Sequence, residues 1–143
     1  MKWILPLSLL LFSFSNCKVS PEKVNTYSKG MIRFGSGGGF AGAYNEFVLL
    51  NNGQLFEIPK KDGKPVEIKK VSTQLTTQIF KSFSLFGLDT MKYNKPDNLY
   101  YFLKYKKGKQ ANDIVWGGIP STNLQSAASI YKILILQTKN PTK

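Results

Sequence analysis

Leu99-Tyr100-Tyr101-Phe102-Leu103-Lys104-Tyr105 is the stretch that decides the fold. It is dense in aromatic residues, which favour the pleated, half-buried surface of a strand. Lys106-Lys107-Gly108-Lys109 follows as a hairpin loop, and residues 110–116 return as a partner strand ending at Trp116. Alternation puts Tyr101 and Tyr105 on one face and Tyr100 and Phe102 on the other, so at least one set faces a core. A second hairpin lies upstream. Residues 43–50 read as a strand, Asn51-Asn52-Gly53 as a tight turn, and 54–58 as the returning strand. Asn-Gly accepts the positive φ angles such a turn needs.

Two more strands and two helices complete the pattern. Residues 29–34 read as a first strand and 66–70 as a short edge strand, while Tyr93 to Asn98 reads as a turn. Leu75, Ile79, Phe83 and Phe86 recur at helical spacing, which predicts a helix over 72–86, capped by Ser72 or Thr73 and stopped by Gly87. Leu124, Ala128, Tyr131 and Ile135 predict another over 123–137, capped by Ser121 or Thr122. The expectation is an α+β, two-layer domain at 28–138: a mainly antiparallel sheet of five to six strands, with two helices packed on one face. Residues 139–143 read as a disordered tail.

Gly35-Ser36-Gly37-Gly38-Gly39-Phe40-Ala41-Gly42 invites comparison with phosphate-binding loops. A Walker loop needs a Gly-Lys-Ser/Thr end, and a dinucleotide fingerprint needs a following helix. Here a strand follows, so both are rejected. The run reads as a wide turn or bulge between strands, with a mobile binding loop as the alternative. The stretch from Ile32 through Gly42, with Tyr44, Leu49 and Gly53, resembles a group of uncharacterised small lipoproteins of the Bacteroidetes type. Asn94-Lys95-Pro96-Asp97-Asn98-Leu99-Tyr100-Tyr101-Phe102 resembles a later segment of the same group. That resemblance implies a fold and a location but no activity.

The N-terminus carries a second signal. Lys2 precedes an apolar run from Trp3 to Phe14, and Ser15-Asn16-Cys17 follows. This is the layout of a secretory signal over residues 1–16, and the apolar run is too short to span a bilayer as a helix. Cys17 is the sole cysteine. The arrangement resembles a lipobox, in which the cysteine thiol receives a diacylglycerol and becomes the new N-terminus. Phe14 and Asn16 depart from the usual pattern, and lipoproteins of the Bacteroidetes type are looser at these positions. Two acyl chains anchor stably where one binds only marginally. Residues 17–27 read as the lipidated cysteine and a polar tether. Only Glu22 is acidic there, and by the same resemblance this favours a periplasm-facing location in the cell envelope.

Composition narrows the function. At 42% hydrophobic and 13% aromatic, the chain can bury a core without disulfide or metal. Net charge is +12, yet Arg33 is the only arginine. Lysine is a solvated point charge, whereas arginine is the fork that reads phosphates and base edges. The surface therefore suits anionic lipid or polysaccharide, or simple solubility, better than nucleic acid. With no histidine, zinc sites of the usual kind and Ser-His-Asp or Cys-His catalysis are excluded. Glu46, Glu57, Asp97 and Asp113 remain as acids without paired spacing. The expected function is a membrane-tethered, non-catalytic module that needs no cofactor and binds an envelope protein or glycan. Its candidate surface is Gly37, Gly38, Gly39, Phe40, Tyr100 and Trp116, with Cys17 as the lipidation site. The rivals are a ligand-binding or hydrolytic domain with residues 35–42 as a lid, and an electrostatic binder of anionic lipid or polysaccharide.

Overall fold

A computed structural model describes residues 17–139. The expected signal at 1–16, and all of the expected tail except Lys139, lie outside the described residues. The strands are β1 (Met31–Gly38), β2 (Ala43–Leu50), β3 (Gln54–Glu57), β4 (Val66–Lys70), β5 (Tyr93–Lys95), β6 (Leu99–Lys107) and β7 (Gln110–Gly117). The helices are α1 (Thr73–Leu85) and α2 (Gln125–Thr138). The fold is α+β, with one sheet in the order β4-β3-β2-β1-β6-β7-β5. All neighbours are antiparallel except β5 and β7, which run parallel.

The sheet has seven strands where five to six were expected. The added strand is β5, which forms where the sequence reads as a turn. Tyr93, Asn94 and Lys95 pair with Ile114, Val115 and Trp116. Three residues are too few to show a period of two, and Pro96, which has no N–H to give a ladder, follows at once.

The second departure is β1, which continues four residues past the expected strand end. Gly35, Ser36, Gly37 and Gly38 pair with β2 on one side and with β6 on the other. The turn is only the remainder of the glycine run, closed by the Gly42 N–H donating to the Gly39 carbonyl at 3.0 Å.

One face of the sheet carries the main core. Ile32, Phe34, Leu49, Leu55, Leu103, Ile114 and Trp116 meet Ile79 and Phe83 of α1 and Ala127, Ile130 and Leu134 of α2. The spacing of Leu75, Ile79 and Phe83 gives α1 its buried stripe. The Ser72 hydroxyl accepts from the Leu75 N–H at 3.3 Å, as expected of an N-cap. Ahead of α2 the expected cap is absent. Ser121 makes no capping bond and its hydroxyl donates to Asn123, while Thr122–Leu124 forms a 3-10 turn that leads into the helix.

The opposite face holds a smaller cluster of Val24, Met31, Val48, Leu50 and Phe56, with Val19, Tyr27 and Ile58 packed around it. Residues 17–27, expected as a tether, lie here against the sheet. They form a strap with a short 3-10 turn at Pro21–Lys23, and Val24 is fully buried. Burying such a side chain contributes about 1.5–3 kcal/mol. The strap gives part of the sheet a third covering layer, where two layers were expected.

Candidate functional site

Cys17 is exposed at the start of the strap. Its carbonyl accepts from Asn52 Nδ2 at 3.4 Å. Val19 donates its N–H to Gln54 Oε1 at 2.7 Å and accepts from Gln54 Nε2 at 3.0 Å. Lys18 pairs with Glu67 at 3.1 Å across an exposed surface. Cys17, Lys18, Asn52, Gln54, Glu67 and Lys70 line a hollow of about 260 Å³. The β2–β3 turn, with Gln54 just after it, is thus the dock for the strap. Sequence reasoning recognised the turn and missed the dock.

The strap leaves uncovered the outer face near the C-terminal half of β1. Register places Gly35 and Gly37 between Glu46 and Tyr44 of β2 and Phe102 and Tyr100 of β6. A Cβ on Gly37 would lie 2.4 Å from Tyr100 Oη, and one on Gly35 would lie 1.9 Å from the Asn45 carbonyl oxygen. The glycines are thus the floor on which aromatic side chains and the neighbouring backbone rest. Tyr44 and Phe102 stack at 5.9 Å, and Lys104 Nζ sits 5.6 Å from the Phe102 ring.

Glu46 stands beside this aromatic patch and is fully engaged. Arg33 Nη1 donates to its Oε1 at 2.8 Å and Tyr44 Oη to its Oε2 at 2.9 Å. Arg33 also donates to Asn25 of the strap. Burial pushes the Tyr44 phenol up to about 12, helped by its bond to the Glu46 carboxylate. Both Glu46 oxygens thus accept hydrogen bonds, one of them charge-assisted, and the carboxylate ties β1 to β2. The other three acids are dispersed. Asp97 accepts from the Asn98 N–H, Asp113 lies opposite Lys104, and Glu57 is exposed at the end of β3.

The expected binding residues do not share one surface. Tyr100 and Gly37 meet on the outer face. Trp116 opposes Tyr101, points to the helices and is 3% exposed. There it forms an aromatic triad with Tyr101 and Tyr131, with ring centroids 5.3–5.8 Å apart. The triad floors a cleft of about 340 Å³ that Gly118, Pro120, Ala128 and Lys132 complete. Gly38 sits at the end of β1, and Gly39 donates its N–H to the Asn98 carbonyl at 2.7 Å. Phe40 projects fully from the turn, next to nothing. It shares its end of the sheet with exposed Leu99 and Ile119, because Gly38 pairs with Leu99 and Tyr100 with Gly117.

Among the described residues, no three His, Cys, Asp or Glu side chains gather as a metal ligand set, and no helix is long and apolar enough to cross a membrane. No known family's sequence profile matches the chain, and no curated protein matches it in sequence. At the surface the chain exposes an apolar rim of Phe40, Leu99 and Ile119, and Tyr44 and Tyr100 lie half-buried over the glycines of β1.

Proposed function

We propose that this chain is an exported lipoprotein, acylated on Cys17, whose domain is a non-catalytic binding module of the cell envelope. The observation that carries the reading is the order Lys2, apolar run, Ser15-Asn16-Cys17, ending in the sole cysteine of the chain. An exposed Cys17 at the head of the strap is reachable by an acyl-transfer enzyme. In that reaction the thiol sulfur displaces the head group of a phospholipid, forming a thioether to diacylglycerol. The candidate contact surfaces are the rim of Phe40, Leu99 and Ile119 and the patch of Tyr44, Tyr100 and Phe102. The rim is exposed, and in the patch the half-exposed rings of Tyr44 and Tyr100 lie beside a buried Phe102; interfaces favour such aromatic and apolar area. The partner class is an envelope protein or glycan, and the location is periplasm-facing.

The test is metabolic labelling with a clickable fatty acid. The native chain takes up label and Cys17→Ser does not. Cross-linking in intact envelopes then compares the native chain with Phe40→Ser, which loses its principal cross-link.

The lid reading draws less support. Gly35 to Gly38 are held in the ladder from both sides, so a mobile segment would be limited to residues 39–42.

A further inference from the structure

We propose that the acylated domain stands on the bilayer on one particular end of its sheet, the end bearing Asn51-Asn52-Gly53, with lysines there facing anionic head groups. The inference rests on the lipoprotein reading of Cys17 and adds an orientation to it.

A free tether of this length would extend roughly 35 Å and leave the domain's orientation open. The strap instead returns Cys17 to the fold. The Cys17 carbonyl is bonded to Asn52, Val19 is bonded twice to Gln54, and Val24 is buried. An acyl chain on Cys17 Sγ therefore enters the bilayer within about one residue of the β2–β3 turn.

Register identifies what else lies at that end. Met31 pairs with both Leu50 and Lys106, and Gln54 pairs with Lys70. The Gly108 N–H donates to the Ser28 carbonyl at 2.7 Å, which brings in the β6–β7 hairpin. Lys18 and Lys70 line the hollow beside Asn52, and Lys29, Lys81 and Lys107 line the neighbouring cleft beside Asn51. Glu67 and Asp89 are the acids in these two linings, and Glu67 is already paired with Lys18. The end is net positive, and basic residues beside a membrane are drawn to anionic lipid.

Charge alone does not choose this end, because Lys60, Lys61 and Lys64 lie in the loop at the other, where Lys60 Nζ donates to the Gly42 carbonyl at 3.2 Å. The position of Cys17 makes the choice. The eight residues of β1 then separate the bilayer from Phe40, Leu99 and Ile119 by about 26 Å. The apolar rim is held out in the aqueous compartment, where a partner can reach it.

The experiment uses the full chain exported and acylated in cells. One added thiol, Lys107→Cys or Phe40→Cys, takes a fluorophore, because acylated Cys17 cannot. The protein is reconstituted into vesicles of phosphatidylglycerol and phosphatidylcholine that carry a head-group quencher. The Lys107→Cys probe is expected to be quenched several-fold more than the Phe40→Cys probe. A second pair, Lys29→Cys and Ile119→Cys, is expected to repeat the contrast. Freeing the strap with Gln54→Ala is expected to reduce it. In pure phosphatidylcholine the contrast is expected to shrink, and an undiminished contrast would overturn the role given to the lysines. Equal quenching of both probes, or stronger quenching at Phe40, would overturn the orientation. Failure of the lipoprotein reading shows separately: the parent chain would then take up fluorophore at Cys17 and would not float with the vesicles.

Discussion

Val19 and Gln54 grip each other through two hydrogen bonds, the Val19 N–H to Gln54 Oε1 and Gln54 Nε2 to the Val19 carbonyl. A side-chain amide thus takes the place of a strand, satisfying both backbone groups of Val19. Gln54 is 2% exposed, so the bonds are made in a desolvated setting, and its partners Asn52 and Glu67 complete the network. This contact makes the expected tether part of the folded domain. Gln54→Ala removes both bonds and is expected to cost about 1–3 kcal/mol. Hydrogen exchange is expected to show faster exchange across residues 19–27 with little change in α2.

Val24 offers an independent check. It is fully buried against Met31, Val48, Leu50 and Phe56. Val24→Ala is expected to destabilise by roughly 1–3 kcal/mol, whereas a tether residue would give no measurable change. Urea denaturation of the chain from Cys17 onward decides between them.

The glycine run separates into two kinds of position. Gly35→Ala drives a Cβ into the Asn45 carbonyl, which is backbone and cannot swing aside. Its expected cost is about 3 kcal/mol, at the upper end of overpacking penalties. Gly39→Ala meets no atom within 4 Å and is disfavoured only by its φ of +76°, at about 1 kcal/mol. Thermal melts are expected to rank the native chain above Gly39→Ala and Gly39→Ala above Gly35→Ala. Equal losses would contradict the placement of Gly35 inside a paired strand.

Tyr44 sets an alkaline limit. Its phenol ionises at about 12 in the folded chain and at about 10 when unfolded. The unfolded state therefore releases this proton first, so the stability Tyr44 contributes is complete below pH 10 and is lost as pH rises toward 12. Tyr44→Phe is expected to flatten that part of the pH dependence. Absorbance titration at the tyrosinate band is expected to lose its latest-ionising component in the variant.

The sequence made legible the elements whose side chains carry a period. The hairpin around Gly108, the hairpin around Asn52 and the existence of α1 and α2 all follow from alternation or helical spacing, but the buried faces differ in part. Helix α2 buries Ala127, Ile130 and Leu134, while the expected Tyr131 and Ile135 are half-buried. Phe86, expected on the α1 stripe, caps the helix and is exposed. The remainder had no periodic trace. Gly35 and Gly37 have no side chain to alternate, so the extension of β1 was invisible until Tyr100 and Tyr44 were seen beside it. Strand β5 is too short to carry a pattern. In the strap, Val19, Val24 and Tyr27 follow no regular spacing, and the partner of Val19 lies 35 residues away. Three apolar residues within a segment otherwise read as polar were the available signal. The candidate surface was legible only in part. Tyr100 and Phe40 are outward, but Trp116 belongs to the core because antiparallel register sets it opposite Tyr101 and not Tyr100.

The most direct measurement is intact mass spectrometry of the protein extracted from native envelopes. The account predicts a chain that begins at Cys17 and carries a diacylglyceryl thioether with its fatty acids. A chain of unmodified mass, or one still beginning at Met1, would contradict it.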